Sequence, residues 1–549
     1  MTDQIRRYLI PAALVLLVAC NQSGSSSSED GLAGFNKDSL TSYIQMLSSD
    51  SFQGRRPFTH GEELTVDYLT NTFTRLGLEP GNGNSYAQDV PLVEINPVSV
   101  SPMSVQSSKA NFELQTMQDF VLWTKRTDSI ATLDKDDVVF AGFGVVAPEY
   151  NWNDYAGIDV KGKVVIVMVN DPGFASGDST MFKGKEMTYY GRWTYKFEEA
   201  ARQGAKACLI VHNTDAASYP FKVVQNSNGG VKLHLDTREK PQYQLAMQGW
   251  VTEDAAKRIL QAAGKDSSLL ASANLRGFKP VPLDIKLSGT LRSKAVFNKS
   301  HNVIAKITGS KNPDEYIIYT AHWDHFGIGK KDEKGDSIYN GALDNASGTA
   351  SIIEIARAFK NMKTKPERTI IFLAVTAEEQ GLLGSAYYST HPVYPVDKTV
   401  ANINIDVINN MGKTKDMTIS GAGQSELEDY LAEELKANGR YIAPELHPEA
   451  GHYFRSDHFN FAKVGVPSIT AGSGIDNIEH GKDWGKKFED EYTAKLYHQP
   501  ADQYDASRWN LDGGIEDIKL LFLLGKKIAS GTSWPKWKDG SEFKALRKQ

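Results

Sequence analysis

Five side chains of the kinds that bind divalent metals recur in the second half of the sequence. They are two histidines and three carboxylates: His322, Asp344, Glu379, Asp406 and His498. Three carboxylates and a hydroxide balance the charge of two divalent ions, whereas one zinc site normally uses three or four protein ligands. Two metals about 3.5–4 Å apart are suited to hydrolysis, because one binds the carbonyl oxygen and both hold the nucleophilic water. The residue types therefore predict metal-assisted hydrolysis.

Two further acidic residues stand beside the predicted ligands. Glu378 precedes Glu379, and it is free to act as a general base that takes a proton from bound water and gives it to the leaving amine. Asp324 lies two residues after His322, on the same face of an extended chain. Its carboxylate is expected to accept a hydrogen bond from the second ring nitrogen of His322. Taken singly, these pairs also occur as ordinary surface residues, so the prediction depends on the whole set.

The sequence around Asp344 is rich in small residues. It contains Gly341, Ala342, Ser347 and Gly348. An aspartate ahead of a predicted helix is usually an N-cap, but small neighbours also allow the backbone to approach a crowded centre. We therefore expect Asp344 to lie in a tightly packed turn.

The elements that must position these side chains follow an α/β pattern. Apolar β-branched runs predict strands, and amphipathic stretches predict helices at residues 347–359 and 425–437; the predicted strands are residues 317–320, 369–375, 400–405 and 464–470. Such strands are typical of a mixed, largely parallel central sheet flanked by helices. Sites in these sheets lie beyond the carboxyl ends of the strands. His322, Glu378 and Asp406 each follow a predicted strand, which supports the assignment of the site.

Length, charge and cysteine content limit the function classes. A chain of 549 residues exceeds what one hydrophobic core usually serves, so two or more domains are expected. The net charge of −6, without a basic run beyond the first residues, excludes nucleic acid as a partner on electrostatic grounds. The two cysteines are Cys20 and Cys208. Modification of Cys20 would leave no disulfide within the chain.

The first 35 residues predict a lipoprotein. Arg6 and Arg7 precede an apolar run over residues 8–19 that is short for a membrane span, and residues 1–19 are predicted to be a signal peptide. The run ends in Leu-Val-Ala-Cys, which resembles a bacterial lipobox and implies a lipid anchor to the membrane through Cys20. Residues 20–35 are Ser-rich in part and predict a flexible tether. An ordinary secretory signal with a chance cysteine is the alternative.

In its catalytic motifs the chain resembles the di-zinc exopeptidase family, which includes secreted bacterial leucine-type aminopeptidases, glutamate carboxypeptidase and the transferrin receptor. Ala-Glu-Glu-Gln-Gly at residues 377–381 and Leu-Asp-Asn-Ala-Ser-Gly at residues 343–348 carry the resemblance. It implies two Zn²⁺ ions per chain, with Asp344 bridging them and Glu378 as the general acid/base. His322 and Asp406 would bind one ion, and Glu379 and His498 the other. Tyr497 matches a tyrosine that polarises the scissile carbonyl in some members.

The resemblance also predicts the domain organisation. Residues 36–131 are expected to form the N-terminal part of the peptidase domain and a connection, and residues 283–535 its catalytic part. Residues 132–282 look like a β-rich protease-associated domain inserted between them. The residue after Cys20 is Asn21. By resemblance to bacterial sorting rules it favours the outer membrane of the cell envelope, facing the periplasm or the exterior.

The predicted function is an aminopeptidase that acts on peptides. The carboxylates of the site would hold a free α-ammonium, and Arg455 is the only arginine in the stretches that the sequence places near the site. A carboxypeptidase, which needs arginines to hold a terminal carboxylate, is one alternative. A glutaminyl cyclase with a single zinc and a catalytically inactive binding protein are the others, and the complete ligand set disfavours both.

Overall fold

The computed structural model describes residues 30–239 and 243–547. The strands in these ranges are β1 (Glu79–Pro80), β2 (Ala87–Val100), β3 (Met103–Ser107), β4 (Asn111–Leu114), β5 (Phe120–Trp123), β6 (Ile130–Phe140), β7 (Val146–Ala147), β8 (Trp152–Asn153), β9 (Val164–Met168), β10 (Ala207–His212), β11 (Lys232–Leu235), β12 (Met247–Thr252), β13 (Val281–Ile307), β14 (Asn312–His322), β15 (Gly327–Ile328), β16 (Ile338–Tyr339), β17 (Arg368–Val375), β18 (Thr399–Asn404), β19 (Asp416–Ile419), β20 (Tyr441–Ala443) and β21 (Ser468–Ser473).

The α-helices in the same ranges are α1 (Lys37–Leu47), α2 (His60–Arg75), α3 (Pro172–Ser176), α4 (Trp193–Arg202), α5 (Thr214–Ala217), α6 (Phe221–Asn228), α7 (Glu253–Ala262), α8 (Ser268–Ser272), α9 (Ser347–Lys360), α10 (Leu383–Thr390), α11 (Leu427–Ala437), α12 (His458–Ala462), α13 (Lys482–Lys495) and α14 (Asp512–Ala529). No helix within these ranges is long and apolar enough to cross a membrane.

The central sheet is mixed and mostly parallel. In spatial order, the end of β13 is followed by β17, β14, β18 and β21, and the last four of these strands run parallel to one another. Alternate residues of β14 belong to different cores: Ile317 and Tyr319 pack with α1, α2, α9, α11 and α14, while Ile318 packs with α10 and α12. Both faces of the sheet are therefore covered by helices, as the buried strands predict, and the predicted fold class is confirmed.

The helical segment near the amino end is interrupted. Between α1 and α2 lies a 3₁₀ segment, Asp50–Arg55, in which Gln53 and Gly54 have positive φ angles of 51° and 66°. A Cβ atom on Gly54 would lie 2.5 Å from the Tyr339 carbonyl oxygen and 2.7 Å from that of Gly327. The chain therefore turns sharply at a residue without a side chain, and the turn directs Arg55 into the molecule.

A long two-stranded ribbon connects the central sheet to a second lobe. β2 and β13 pair antiparallel from Ala87 opposite Val303 to Val100 opposite Leu291. Beyond the ribbon, β13 pairs with β6, and β6, β9, β10 and β12 form a parallel series with β5 at its edge. This lobe has its own buried clusters, to which β3 and β5 also contribute. The predicted insert at residues 132–282 lies within it, and its identity as a protease-associated domain stays a prediction.

The amino-terminal predictions fall on a part of the chain that is not described. The signal peptide over residues 1–19, Cys20 and the tether as far as residue 29 lie outside the described residues. Their roles stay predictions.

Candidate metal centre

Three neighbouring strands bring acidic groups and a histidine to one edge of the sheet. His322 is the last residue of β14, Glu378 follows the end of β17 by three residues, and Asp406 follows the end of β18 by two. β17 and β18 are the direct neighbours of β14, and all three run parallel. The carboxyl ends of these strands therefore meet, which places the side chains together.

Asp344 reaches the same edge from a tight turn before α9. Ala342–Ala346 forms a π-helical turn in which Asp344 has non-helical φ and ψ angles of −108° and 95°. A Cβ atom on Gly348 would lie 2.2 Å from Asn345 Oδ1 and 2.4 Å from the Ile405 carbonyl oxygen. Only glycine fits there, so the small residues serve close backbone approach, as the sequence predicts.

Asp344 is shared between two clusters of donor atoms. Its Oδ1 lies 3.2 Å from His322 Nε2, which is 3.3 Å from Asp406 Oδ1. Its Oδ2 lies 3.2 Å from His498 Nε2, which is 3.3 Å from Glu379 Oε2. The structure thus brings together all five predicted ligands, in the two sets that the resemblance implies.

The spacing of these atoms fits zinc. Tetrahedral zinc with ligands at about 2.0–2.1 Å separates neighbouring donor atoms by about 3.3–3.4 Å. The observed separations of 3.2 and 3.3 Å are close to this value in both clusters. Nitrogen and carboxylate oxygen donors are those that zinc accepts in proteins. The residues present therefore fit two divalent ions, one in each cluster.

The electrostatics of the centre favour cations. Burial raises the pKa of Glu379 well above its usual range, and the neighbouring Asp344 raises it further. Burial opposes protonation of His322, but Glu378, Asp344 and Asp406 outweigh it and raise the pKa of this imidazole well above its ordinary value. Carboxylates packed this closely repel one another unless positive charge lies between them. The side chains of Asp406 and His498 remain 20% and 34% exposed, which leaves one side of the centre open.

Glu378 takes no part in either donor cluster. Its backbone NH donates to Asp324 Oδ1 at 3.0 Å, while no hydrogen bond or ion pair of the described residues engages its carboxylate. Burial raises the pKa of this carboxyl well above its ordinary range, with His322 opposing the shift and Glu379 adding to it. An unengaged carboxyl with a raised pKa beside the clusters is suited to general acid/base chemistry.

Asp324 contacts the centre differently from the prediction. His322 Nδ1 donates to the backbone carbonyl of Asp324 at 3.2 Å, whereas the Asp324 carboxylate oxygen is 3.8 Å away. That carboxylate instead accepts the backbone NH of Glu378. A backbone carbonyl fixes the histidine tautomer as well as a carboxylate does. Asp324 therefore orients His322 through its main chain and the Glu378 turn through its side chain.

Tyr497 lies at the open side of the centre. The residue is 43% exposed, and its ring stacks on His498 with 3.7 Å between the centroids and 27° between the planes. The stacked ring of the exposed Tyr497 supports the orientation of the His498 ring. Polarisation of a carbonyl by the Tyr497 hydroxyl stays a prediction.

Three buried residues that the sequence did not single out hold the centre together. Asp502 accepts the backbone NH groups of Leu343 and Asp344, both at 3.0 Å. His325 is fully buried, and its Nδ1 lies 2.6 Å from Glu379 Oε1, the oxygen that faces away from His498. Asp502 follows His498 by four residues and His325 follows His322 by three, and that proximity to predicted ligands is the signal that could have found them.

Arg55 is the third of these residues. Its Nε donates to the Trp323 carbonyl at 2.7 Å, and its Nη1 donates to the carbonyls of Leu47 and Asn340 at 2.6 Å. Nη2 donates to the Gly341 carbonyl at 2.9 Å. Burial lowers the pKa of this guanidinium to about 10, against the pull of carboxylates led by Asp324. One arginine thus ties the strand end that carries His322 to the turn that carries Asp344.

The fold and the shared carboxylate define an α/β protein with a candidate two-metal centre at the carboxyl edge of its sheet. Residues 302–523 match the family model of Peptidase family M28, a range that includes every residue of the two donor clusters. This part of the chain is similar to peptidase family M28.

Comparison with individual proteins gives more distant matches. The chain is 24% identical over 279 residues to "Carboxypeptidase Q" of Xenopus laevis, covering 51% of this chain and 48% of that protein. It is 38% identical over 116 residues to a "Probable zinc metalloprotease" of Pyrenophora teres f. teres, covering 21% of this chain and 24% of that protein. The matches thus span about half or less of these relatives. Among solved structures, "Aminopeptidase from Aneurinibacillus sp. strain AM-1" is similar with a TM-score of 0.48 and 20% identity, covering 92% of this chain and 97% of that one.

Proposed function

We propose that the chain is a metal-dependent aminopeptidase that uses two zinc ions to release N-terminal residues from peptides. The observation that carries this proposal is the position of Asp344, whose two oxygens each lie 3.2 Å from a different histidine. A carboxylate held in this way is suited to bridging two metals. The match of residues 302–523 to a peptidase family and a relative named as a probable zinc metalloprotease support the choice of reaction and metal.

The side chains of the centre have separate roles in the reaction. Zinc ions bound there would polarise the scissile carbonyl and lower the pKa of the attacking water. Glu378 takes the proton of that water and delivers it to the leaving nitrogen. Asp324, Asp502 and Arg55 hold the ligand-bearing backbone in place and touch no reacting atom.

The choice of the amino end rests on charge. Asp344, Glu378, Glu379 and Asp406 gather at the centre, and a substrate α-ammonium is stabilised by such negative charge. The carboxylates therefore attract the free amine of an N-terminal residue to the place where the scissile carbonyl must bind.

Purified protein and a panel of aminoacyl-nitroanilides test this proposal. We expect hydrolysis that a chelator abolishes and zinc restores, and no hydrolysis when the substrate amine is acetylated. Cleavage of acetylated substrates at an undiminished rate would show that the amine is not recognised. Activity unchanged after complete removal of metal would contradict the metal-dependent mechanism.

A further inference from the structure

The turn between β17 and α10 carries Glu378 and Glu379 on a strained backbone. Ala377, directly before Glu378, has a φ angle of 53°, and Leu382, directly before α10, has a φ angle of 61°. Left-handed φ angles are unfavourable for residues that have a side chain, and they persist only where the surrounding structure holds them. Such strain clusters at functional sites. The groups that hold residues 376–384, which we call the base turn, are therefore candidates for a role in the reaction.

The base turn is closed by hydrogen bonds of its own backbone. The NH groups of Gly381 and Leu382 both donate to the Glu378 carbonyl at 2.8 Å. The Leu383 NH donates to the Ala377 carbonyl at 3.1 Å. These bonds stay within the turn, so they do not fix its position relative to the neighbouring strands and helices.

Asn302 ties both ends of the base turn to β13. The residue lies near the end of that strand and is fully buried. Its Oδ1 accepts the Thr376 NH at 3.1 Å, and its Nδ2 donates to the Gly384 carbonyl at 3.0 Å. Nδ2 also donates to Gln88 Oε1 at 3.0 Å. The amide of one buried residue therefore holds the first and the last residue of the turn.

Asn460 holds the strained residue Leu382. It lies in α12 and is only 3% exposed. Its Nδ2 donates to the Leu382 carbonyl at 3.0 Å and to Ser385 Oγ at 2.9 Å. The Ser385 hydroxyl in turn donates to Asp457 Oδ1 at 2.5 Å. The base turn is thus held by α12 on one side and by β13 on the other.

Of the two glutamates in the base turn, Glu378 depends more on its backbone. Glu379 Oε2 has a place in the second donor cluster, 3.3 Å from His498 Nε2. In the described part of the chain, no hydrogen bond or ion pair anchors the Glu378 carboxylate, and its backbone NH is held by Asp324 Oδ1. A general base must lie within hydrogen-bond reach of the water that it deprotonates. A shift of the turn would therefore affect Glu378 more than Glu379.

We infer that Asn302 and Asn460 are positioning residues that hold the base turn in its strained form and thereby orient Glu378 toward the attacking water. This inference rests on the proposed peptidase function and deepens it. Neither asparagine contributes an atom to the two donor clusters. Their loss should therefore lower turnover while the zinc ions stay bound.

Substitution by leucine removes each amide with little change in volume. We expect Asn302→Leu and, separately, Asn460→Leu to lower kcat for leucine nitroanilide by roughly 10- to 100-fold, the effect of a displacement of about 1 Å. Zinc content and KM should stay near the wild-type values. Asn228→Leu is the matched control, because Asn228 is a buried asparagine of α6 whose Nδ2 donates only within that helix, to the Val224 carbonyl. Wild-type kcat in both Asn302→Leu and Asn460→Leu would overturn the inference.

The Glu378→Gln background separates positioning from general structural damage. If the two asparagines act through Glu378, Asn302→Leu and Asn460→Leu should lower kcat no further once this carboxylate is absent. Effects of residues that act as a unit are not additive, whereas independent effects are. Loss of the full 10- to 100-fold in the Glu378→Gln protein would therefore overturn the positioning role.

Amide hydrogen exchange tests the same contacts without a substrate. Both leucine variants should speed exchange at residues 376–384 relative to β17, because loss of a holding contact favours local opening. Unchanged exchange in this segment would overturn the inference. If neither variant folds, the unaltered protein decides: its base turn should exchange as slowly as β17, and exchange as fast as that of the exposed loop at residues 330–335 would overturn the inference.

The failure of the inference and that of the proposed function have different signatures. Hydrolysis by the unaltered protein, with wild-type kcat in both leucine variants, would overturn the inference and leave the aminopeptidase intact. No hydrolysis by the unaltered zinc-loaded protein would overturn the proposed function. In that case faster exchange in the variants would still support the hold of the two asparagines on the base turn, and unchanged exchange would overturn it.

Discussion

Asp344 makes the two halves of the centre depend on one side chain. Its oxygens face His322 and His498 at the same distance of 3.2 Å, while Asp406 faces only His322 of these two, and Glu379 faces only His498 of them. Loss of a peripheral ligand should therefore weaken one cluster, and loss of Asp344 should weaken both.

Substitution of Asp344 should therefore reduce zinc binding more than substitution of either histidine. Asp344→Asn keeps the size of the side chain and removes its charge, so we expect both zinc ions to be lost or bound far more weakly. His322→Ala and His498→Ala should each lose mainly one ion. Metal analysis of the dialysed proteins measures this directly, and an Asp344→Asn protein that keeps one tightly bound ion would count against a bridge.

Glu378 provides the complementary test, because it is a proton carrier and not a ligand. Glu378→Gln should lower kcat by roughly a hundredfold or more, since general acid/base groups contribute about 10²–10⁴-fold. Zinc content should stay at the wild-type level. If metal disappears together with activity, the roles of Glu378 and Glu379 have been exchanged.

At the scale of elements, the centre is held by backbone segments that Arg55 ties together. Its guanidinium reaches carbonyls on the α1 end, the β14 end and the turn before α9. A neutral side chain would leave these buried oxygens without a donor, and unsatisfied buried acceptors are costly.

Arg55→Met should therefore lower the free energy of unfolding by roughly 3 kcal/mol or more and weaken zinc binding as well. Arg56→Met is the matched control, because Arg56 is 33% exposed and its ion pair with Glu94 is long at 3.6 Å. Its effect should be below about 1 kcal/mol. Urea unfolding and zinc titration compare the two, and equal losses of stability would contradict the role given to Arg55.

Local patterns and long-range contacts differ in what the sequence reveals. Periodicity predicts α9 and β17 to within a residue of their ends. Residue type predicts the five donor side chains, and strand position supports His322, Glu379 and Asp406 among them. Sequence patterns do not reveal the roles of Arg55 and Asp502, because their hydrogen-bond partners are distant along the chain. Asn340 is 285 residues from Arg55, and Leu343 is 159 residues from Asp502. The sequence does not reveal the β2–β13 ribbon for the same reason, since pairing between distant segments leaves no local pattern.

At the scale of the whole molecule, the second lobe packs against the peptidase part. The β2–β13 ribbon joins the two, and Met187 and Tyr189 of the second lobe pack in one apolar cluster with Phe454, Phe459 and Leu382. The proposed lipid anchor at Cys20 would keep both lobes at the membrane surface through the tether.

Cys20→Ser tests that anchor. Acyl chains on Cys20 are the proposed attachment, and stable attachment takes more than one chain. The variant should appear in the soluble fraction or remain unprocessed after expression in a bacterial host that modifies lipoproteins. Membrane fractionation with mass analysis of the amino end measures both outcomes. A normally processed variant that still sediments with membranes would contradict the prediction that Cys20 carries the lipid anchor.

The most direct test of the central claim is a zinc titration of the metal-free enzyme with cleavage of leucine nitroanilide as the readout. The account predicts that each chain takes up two zinc ions, that full activity requires both, and that the Glu378→Gln protein takes up the same number without recovering turnover. Full activity with a single ion per chain, or uptake of two ions with no peptidase activity in the unaltered protein, would contradict it.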